Sequence, residues 1–369
     1  MITRLYADNF RCLVNFELKF DRLNLLMGLN GSGKSSVFDV LRRLQYFISG
    51  DCRLQAAFPA RELTRWQSSP EQRFELDLDI PEGKLRYVLL LEHMDGGQKS
   101  RVREETLTEQ GKPLFERRMG EVHLYRDDFN QGPVYPFDWS LPALATVQPS
   151  PVNTKLTAFR REMSKLVIAA ISPSQMEGDS REEADTLTPR MENFVSWYRR
   201  LAQENMGAMF QLFQELGRVL PGFASFSFKD AGEDTKILKV LFDRNGSTKS
   251  QLAFDFGDLS DGQRVLIALY TLIHGLKGSG LSLFLDEPDN FVALREVQPW
   301  LSTLSDECGE SFEQAVLISH HPEIIDYMGG TKGRWFSREA SGPVRVQESP
   351  PKATDGLSLS ETLVRGWES

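Results

Sequence analysis

The chain has 369 residues, a formal net charge of −9, and 40% hydrophobic, 26% charged and 10% aromatic side chains. That composition fills a core near the upper size limit of one domain, and the acidity argues against a generic cationic surface for nucleic acid. No apolar run approaches the roughly 18 residues of a membrane span, and the opening Met1-Ile2-Thr3-Arg4-Leu5-Tyr6 lacks the layout of a signal peptide. Cys12, Cys52 and Cys308 are far apart and form no CxxC pair, which excludes a disulfide framework, a zinc site and a zinc hook. A reducing cytoplasm is the expected compartment, with no membrane partner.

Residues 13–20 alternate apolar and polar side chains, the pattern of a half-exposed strand, and the apolar run 23–27, stopped by Gly28, predicts a buried one. After a glycine-rich loop, Val37, Phe38, Val40, Leu41, Leu44 and Phe47 form a helical stripe over residues 35–48. Residues 74–80 and 85–92 predict two strands, and residues 94–155 read as turn-rich. A short strand is expected at 166–171 before Pro173, a mobile acidic loop at 178–186, and one long amphipathic helix at 191–219, ended by Pro221-Gly222. Paired strands at 237–242 and 251–256 flank the turn Asn245-Gly246. A helix at 260–274 and buried strands at 281–285 and 314–319 follow. The remainder predicts a hairpin at 334–347, a Pro350-Pro351 linker and a short helix at 359–364. No internal repeat and no sustained heptad appears, so long coiled-coil arms are not expected.

Gly28-Leu29-Asn30-Gly31-Ser32-Gly33-Lys34-Ser35 matches G-x4-G-K-[ST], with a predicted strand before it and a helix after it. Glycines let such a loop wrap a phosphate with successive amides pointing inward, and the helix start adds its positive end. Asn30, Gly31, Ser32, Gly33, Lys34, Ser35 and Ser36 are therefore the candidate nucleotide-binding residues. Lys34 would reach the β and γ phosphates of ATP, and the Ser35 hydroxyl would ligate Mg²⁺. A glycine-rich turn without a ligand is the bland alternative, and the strand–loop–helix context argues against it.

The strand at 281–285 ends in Asp286-Glu287-Pro288. Asp286 is the second candidate metal residue. Glu287 is the candidate that orients or deprotonates the attacking water. Leu259-Ser260-Asp261-Gly262-Gln263 opens the 260–274 helix. Ser260 with Gln263 three residues on is a plain capping box. The functional alternative has Ser260, Gly262 and Gln263 facing the γ-phosphate of a second copy's ATP. The strand at 314–319 ends in His320-His321-Pro322; either histidine can serve as the γ-phosphate sensor, and His320 is preferred over His321.

Taken in order, Asn9-Phe10-Arg11, the phosphate loop, Leu-Ser-Asp-Gly-Gln, Asp-Glu-Pro-Asp-Asn and Ile-Ser-His-His-Pro-Glu resemble the SMC/RecF-type branch of ABC ATPases from end to end. Within it the chain is similar to stand-alone ATPases of bacterial anti-phage systems, of the overcoming-lysogenisation-defect, Septu and PARIS types. The resemblance implies an α/β fold, an ABC-type P-loop ATPase head with a mixed-sheet core lobe (1–125 and 281–347), a helical signature lobe (126–280) and a tail (348–369). It implies ATP hydrolysis with Mg²⁺, a homodimer or higher homo-oligomer closing head to tail around ATP, and Arg11 near nucleotide or DNA. The chain ends soon after His321 without a TOPRIM domain, so the effector is expected to be a separate protein such as a TOPRIM or HNH nuclease. Many relatives follow Asp-Glu-Pro with Leu-His-Pro, where this chain reads Val292-Ala293-Leu294. Gln131 and Gln148 are candidates for a magnesium-bridging glutamine. A RecF-like DNA-repair ATPase is the alternative reading, which salt-sensitive DNA affinity would favour. A transporter subunit would need a much shorter stretch between the phosphate loop and Ser260.

Overall fold

The computed structural model describes residues 1–244, 247–339, 342–348 and 358–364. The expected turn Asn245-Gly246 and the linker Pro350-Pro351 lie outside the described residues. The chain opens with β1 (Ile2–Asp8), β2 (Phe16–Lys19), β3 (Leu23–Gly28), α1 (Lys34–Ser49) and α2 (Leu54–Ala57). A run of strands follows: β4 (Glu71–Ile80), β5 (Gly83–Met94), β6 (Lys99–Glu109), β7 (Lys112–Arg118), β8 (Glu121–Tyr125) and β9 (Gln131–Pro136). Next come α3 (Thr154–Ser164), β10 (Leu166–Ala169), β11 (Asp179–Ser180), α4 (Phe194–Glu204), α5 (Met206–Val219), β12 (Phe223–Asp230), β13 (Lys236–Arg244) and β14 (Ser247–Asp255). The chain continues with α6 (Asp261–Gly275), β15 (Ser282–Asp286), α7 (Leu294–Glu307), β16 (Gln314–Ile318), α8 (Pro322–Ile324) and a π-helical turn, Ile325–Gly329. Last are α9 (Gly330–Lys332), β17 (Gly333–Ser337), β18 (Arg345–Gln347) and α10 (Leu359–Val364).

Two compact units result: Met1–Leu166 with Met328–Ser369, and Val167–Tyr327. The second unit groups β15 and β16 with the Ser260 segment.

The first unit holds an antiparallel eight-stranded sheet in the order β2-β1-β4-β5-β6-β7-β8-β9. In β5, Leu85, Tyr87, Leu89 and Leu91 are buried while their neighbours face outward, the period of a sheet with one covered face. β3 is buried at every residue and pairs in parallel with β17, Leu25 opposite Gly333. A continuous apolar run of this kind is what a doubly covered parallel strand needs. The stripe Val37, Phe38, Val40, Leu41, Leu44, Phe47 and Ile48 forms the buried face of α1. Gly50 ends the helix at φ 92°, its amide donating to the Phe47 carbonyl and that of Asp51 to the Tyr46 carbonyl.

Residues 94–155 are not a turn-rich stretch but carry four strands. The turn signals there are tight hairpin turns, with Gln110-Gly111 at φ 49° and 80° and Met119-Gly120 at φ 49° and 81°. Two successive positive φ values match the twist of the flanking strands. β1 was not anticipated, and only residues 16–19 of the expected 13–20 strand are extended. Phe10 and Leu13 exchange backbone hydrogen bonds in a tight turn before it.

The second unit contains the parallel pair β15–β16, with β10 beside β15, and a smaller antiparallel sheet in which β13 pairs with β11, β12 and β14. The second unit thus holds strands as well as helices. The acidic stretch expected as a loop contributes β11. The long helix expected at 191–219 is two helices, broken at Asn205, whose side chain accepts from the Ala208 amide at 3.1 Å and starts α5.

Candidate functional site

In the first unit, β3 delivers the chain into the glycine-rich loop and α1 carries it away. Gly28 has φ 142°, and a Cβ there would lie 2.2 Å from the Phe336 carbonyl oxygen. Only glycine allows this approach between β3 and β17. Gly33 sits at φ 95° as the N-cap of α1 and supplies no side-chain cap. The first turn of α1 also lacks an acidic residue, so its amides and dipole are left for an anion. Lys34 is 5% exposed, and its ammonium donates to the carbonyls of Gly28 at 2.8 Å and Leu29 at 3.1 Å and to Ser32 Oγ at 3.4 Å. Asn30, Gly31 and Ser35 are exposed, Ser32 is buried, and Ser36 is half-buried with Cys12 Sγ 3.6 Å from its hydroxyl.

Arg11, at φ 48°, is held by two carboxylates: it pairs with Asp39 on α1 and with Glu62. The Glu62 hydrogen bond, against the cost of burial, raises the Arg11 guanidinium above its ordinary range. Gln131 lies on the exposed strand β9, and Gln148 is exposed in the segment before α3.

In the second unit, β15 ends at the half-buried Asp286, and Glu287 follows at φ 48°. A non-glycine residue in this region marks a constrained turn. It is tied down by the Glu287 amide donating to the Ile318 carbonyl at 2.8 Å. Asn290 Nδ2 donates to Glu287 Oε2 at 2.8 Å, and His320 Nε2 lies 3.8 Å from Glu287 Oε1. His321 turns elsewhere, its Nδ1 accepting from the Glu323 amide at the start of α8. The two adjacent histidines thus have separate surroundings, and His320 is the one beside the carboxylate. Asp289 is 7% exposed; burial pushes its carboxyl above the usual range, opposed by a hydrogen bond to Ser319.

Ser260 starts α6 with a complete capping box. Its hydroxyl accepts from the Gln263 amide at 3.4 Å, and Gln263 Oε1 accepts from the Ser260 amide at 3.1 Å. Capping alone leaves Gly262 unexplained. A Cβ there would lie 2.6 Å from the carbonyl oxygen of Phe291, which has φ 71°. The segment after Glu287 therefore rests on the first turn of α6, a contact that sequence reasoning missed together with Asp289 and Asn290. The Asp-Asn following Asp-Glu-Pro was the available signal.

Three adjacent arginine pairs, Arg117-Arg118, Arg160-Arg161 and Arg199-Arg200, are held in ion pairs and carbonyl contacts. Arg117 is fully buried on β7, against Glu105 at 3.4 Å, and Arg118 meets Glu104 and Glu116. Arg161 pairs with Glu82 and Glu162, and Arg160 donates to the Val147 carbonyl at 2.6 Å. Arg199 pairs with Glu183, and Arg200 with Asp185 and Glu204. Among the described residues no helix is long and apolar enough to cross a membrane, and no cluster of three or more His, Cys, Asp or Glu is arranged for a metal.

Residues 1–80 match the family model of the AAA ATPase domain. No curated protein matches the chain in sequence. Among solved structures it is similar to an SMC head bound to the C-terminal winged-helix domain of ScpA, at 11% identity and TM-score 0.55, covering 94% of this chain and 98% of that one. It is also similar to an Smc head with an extended coiled coil bound to the C-terminal domain of ScpA derived from Pyrococcus furiosus, at 12% identity and TM-score 0.50, covering 100% and 98%. An SMC head from Thermotoga maritima matches at 13% identity and TM-score 0.48, covering 94% and 98%. At these identities the first two establish the fold: a mixed α/β, ABC-type P-loop ATPase head.

Proposed function

We propose that the chain binds ATP with Mg²⁺ and hydrolyses it, with two copies closing head to tail around the nucleotide. The observation that carries this reading is the phosphate loop. Its buried Lys34 ammonium and its uncapped helix start are groups suited to a polyphosphate. The oxygens of Ser35 and Asp286 are hard donors of the kind Mg²⁺ takes, and the ion would neutralise phosphate charge. Glu287, oriented by Asn290 and beside His320, is the group that positions the attacking water. Ser260 and the start of α6 would contact the γ-phosphate held by the other copy. Lys34→Ala tests the site: it is expected to weaken ATP binding and abolish turnover in a chain that still folds. Unchanged turnover would remove the assignment.

Within that activity, the chain serves as the sensor and scaffold ATPase of a bacterial anti-phage system, holding a separately encoded effector. Support comes from the sequence resemblance, and from heads of this fold that engage separate proteins, as the two ScpA-bound SMC heads do. Phage plating on cells carrying this gene and its neighbours tests it. Protection lost with Glu287→Gln is the expected result, and no protection from the intact set contradicts it.

A further inference from the structure

We propose that Arg338 is a positioning residue for the phosphate loop, acting through Gly31 and held in place by Trp66; the proposal rests on the nucleotide-binding reading above. Gly31 is a loop position with little packing to hold it. It is exposed, has φ 75°, and a Cβ there would meet nothing within 4 Å. Packing therefore does not decide which way the peptide after Gly31 points, and at glycine a peptide rotation costs little. Two hydrogen bonds decide it. The Ser32 amide donates to the Leu29 carbonyl at 3.1 Å, and Arg338 Nη1 donates to the Gly31 carbonyl at 3.0 Å.

The guanidinium is itself fixed. Its Nε donates to the Gly342 carbonyl at 2.9 Å, its carbon lies 5.4 Å from the centroid of the Trp66 ring, within cation–π range, and its planar fork serves the Gly342 and Gly31 carbonyls at once, which the single ammonium of lysine does not copy. The same connection between β17 and β18 meets the loop a second time. The Val344 amide donates to the Cys12 carbonyl at 3.0 Å, and Val344 Cγ2 lies 2.6 Å from where a Cβ on Gly33 would stand. Rotating the Gly31–Ser32 peptide would point a carbonyl oxygen toward the cradle, and an acceptor there opposes a phosphate that needs donors. Arg338 thus acts on ground-state nucleotide binding, not on the hydrolytic step.

The test is titration of the full chain with a fluorescent ATP analogue, alongside steady-state hydrolysis and melting curves without nucleotide. Arg338→Ala is expected to weaken binding and raise KM roughly tenfold, with kcat within about twofold and an unchanged melting midpoint. Trp66→Leu should weaken binding in the same sense and Trp66→Phe should not. Arg338→Lys should stay weak, because charge without the plane does not hold the carbonyl. If Arg338→Ala does not fold, Arg338→Lys and Trp66→Leu carry the same readouts. Wild-type affinity in these variants, or full rescue by lysine, overturns the proposal. Lys34→Ala run in parallel separates the two levels: if it too binds normally, the nucleotide site itself is wrong, and if it alone loses binding, only the role of Arg338 falls.

Discussion

The carbonyl oxygen of Phe291 stands 2.6 Å from the position a Cβ on Gly262 would occupy. This contact links the first turn of α6 to the segment that leaves Glu287. Gly262→Ala must push that segment away, at a cost of about 1–3 kcal/mol in stability. Because Asn290 in that segment orients Glu287, hydrolysis is expected to fall on the order of tenfold to a hundredfold while ATP affinity stays close to wild type. Single-turnover kinetics with an equilibrium binding assay check this, and normal turnover would show that the contact has no catalytic consequence.

Glu287→Gln keeps the shape and the acceptor for Asn290 but removes the negative charge beside His320. Hydrolysis is expected to drop by at least about a hundredfold, while ATP stays bound. Size-exclusion chromatography with ATP and Mg²⁺ should show more of the associated form than wild type. A Gln variant that hydrolyses normally assigns the catalytic carboxylate elsewhere.

His93 predicts a pH dependence of stability. Burial lowers its pKa, and its ring nitrogens lie 2.8 Å from Ser100 Oγ and 3.0 Å from Gln72 Oε1. A histidine whose folded pKa is depressed contributes stability that is present above its unfolded pKa, about 6.5, and lost as pH falls. His93→Gln should therefore melt below wild type at pH 7.5, with the difference shrinking by pH 5.5. A difference that does not change across that range would contradict the assignment.

The residues that were legible in the sequence announce themselves locally. The phosphate loop shows its glycines, Ser260 and Gln263 show their capping spacing, and β15 shows an apolar run ending in two carboxylates. What stayed hidden depends on backbone that side chains do not advertise. Glu287 and Phe291 both take left-handed conformations without being glycine, and those two turns bring Asn290 and His320 to the carboxylate and the Phe291 carbonyl to Gly262. The β6–β9 meander was masked because hairpin turns such as Gln110-Gly111 and Met119-Gly120 look like loop punctuation. The break at Asn205 was masked because the apolar periodicity runs on through it.

In the proposed head-to-tail dimer each ATP is held by Lys34 of one copy and Ser260 of the other. Ser260→Arg should leave ATP binding by a single copy largely intact and stop hydrolysis, and Lys34→Ala should also be inactive. Mixed together, the two variants form dimers in which one site carries both defects and the other has an intact Lys34 facing an intact Ser260. ATP-dependent association of the mixed pair, measured with differently labelled chains, needs one such site and is unaffected by coupling between the two sites in turnover. The account predicts that association returns on mixing, with partial ATPase activity where the sites act independently. No association on mixing, together with full hydrolysis by Ser260→Arg alone, would contradict it and leave residues 259–263 as a capped helix start.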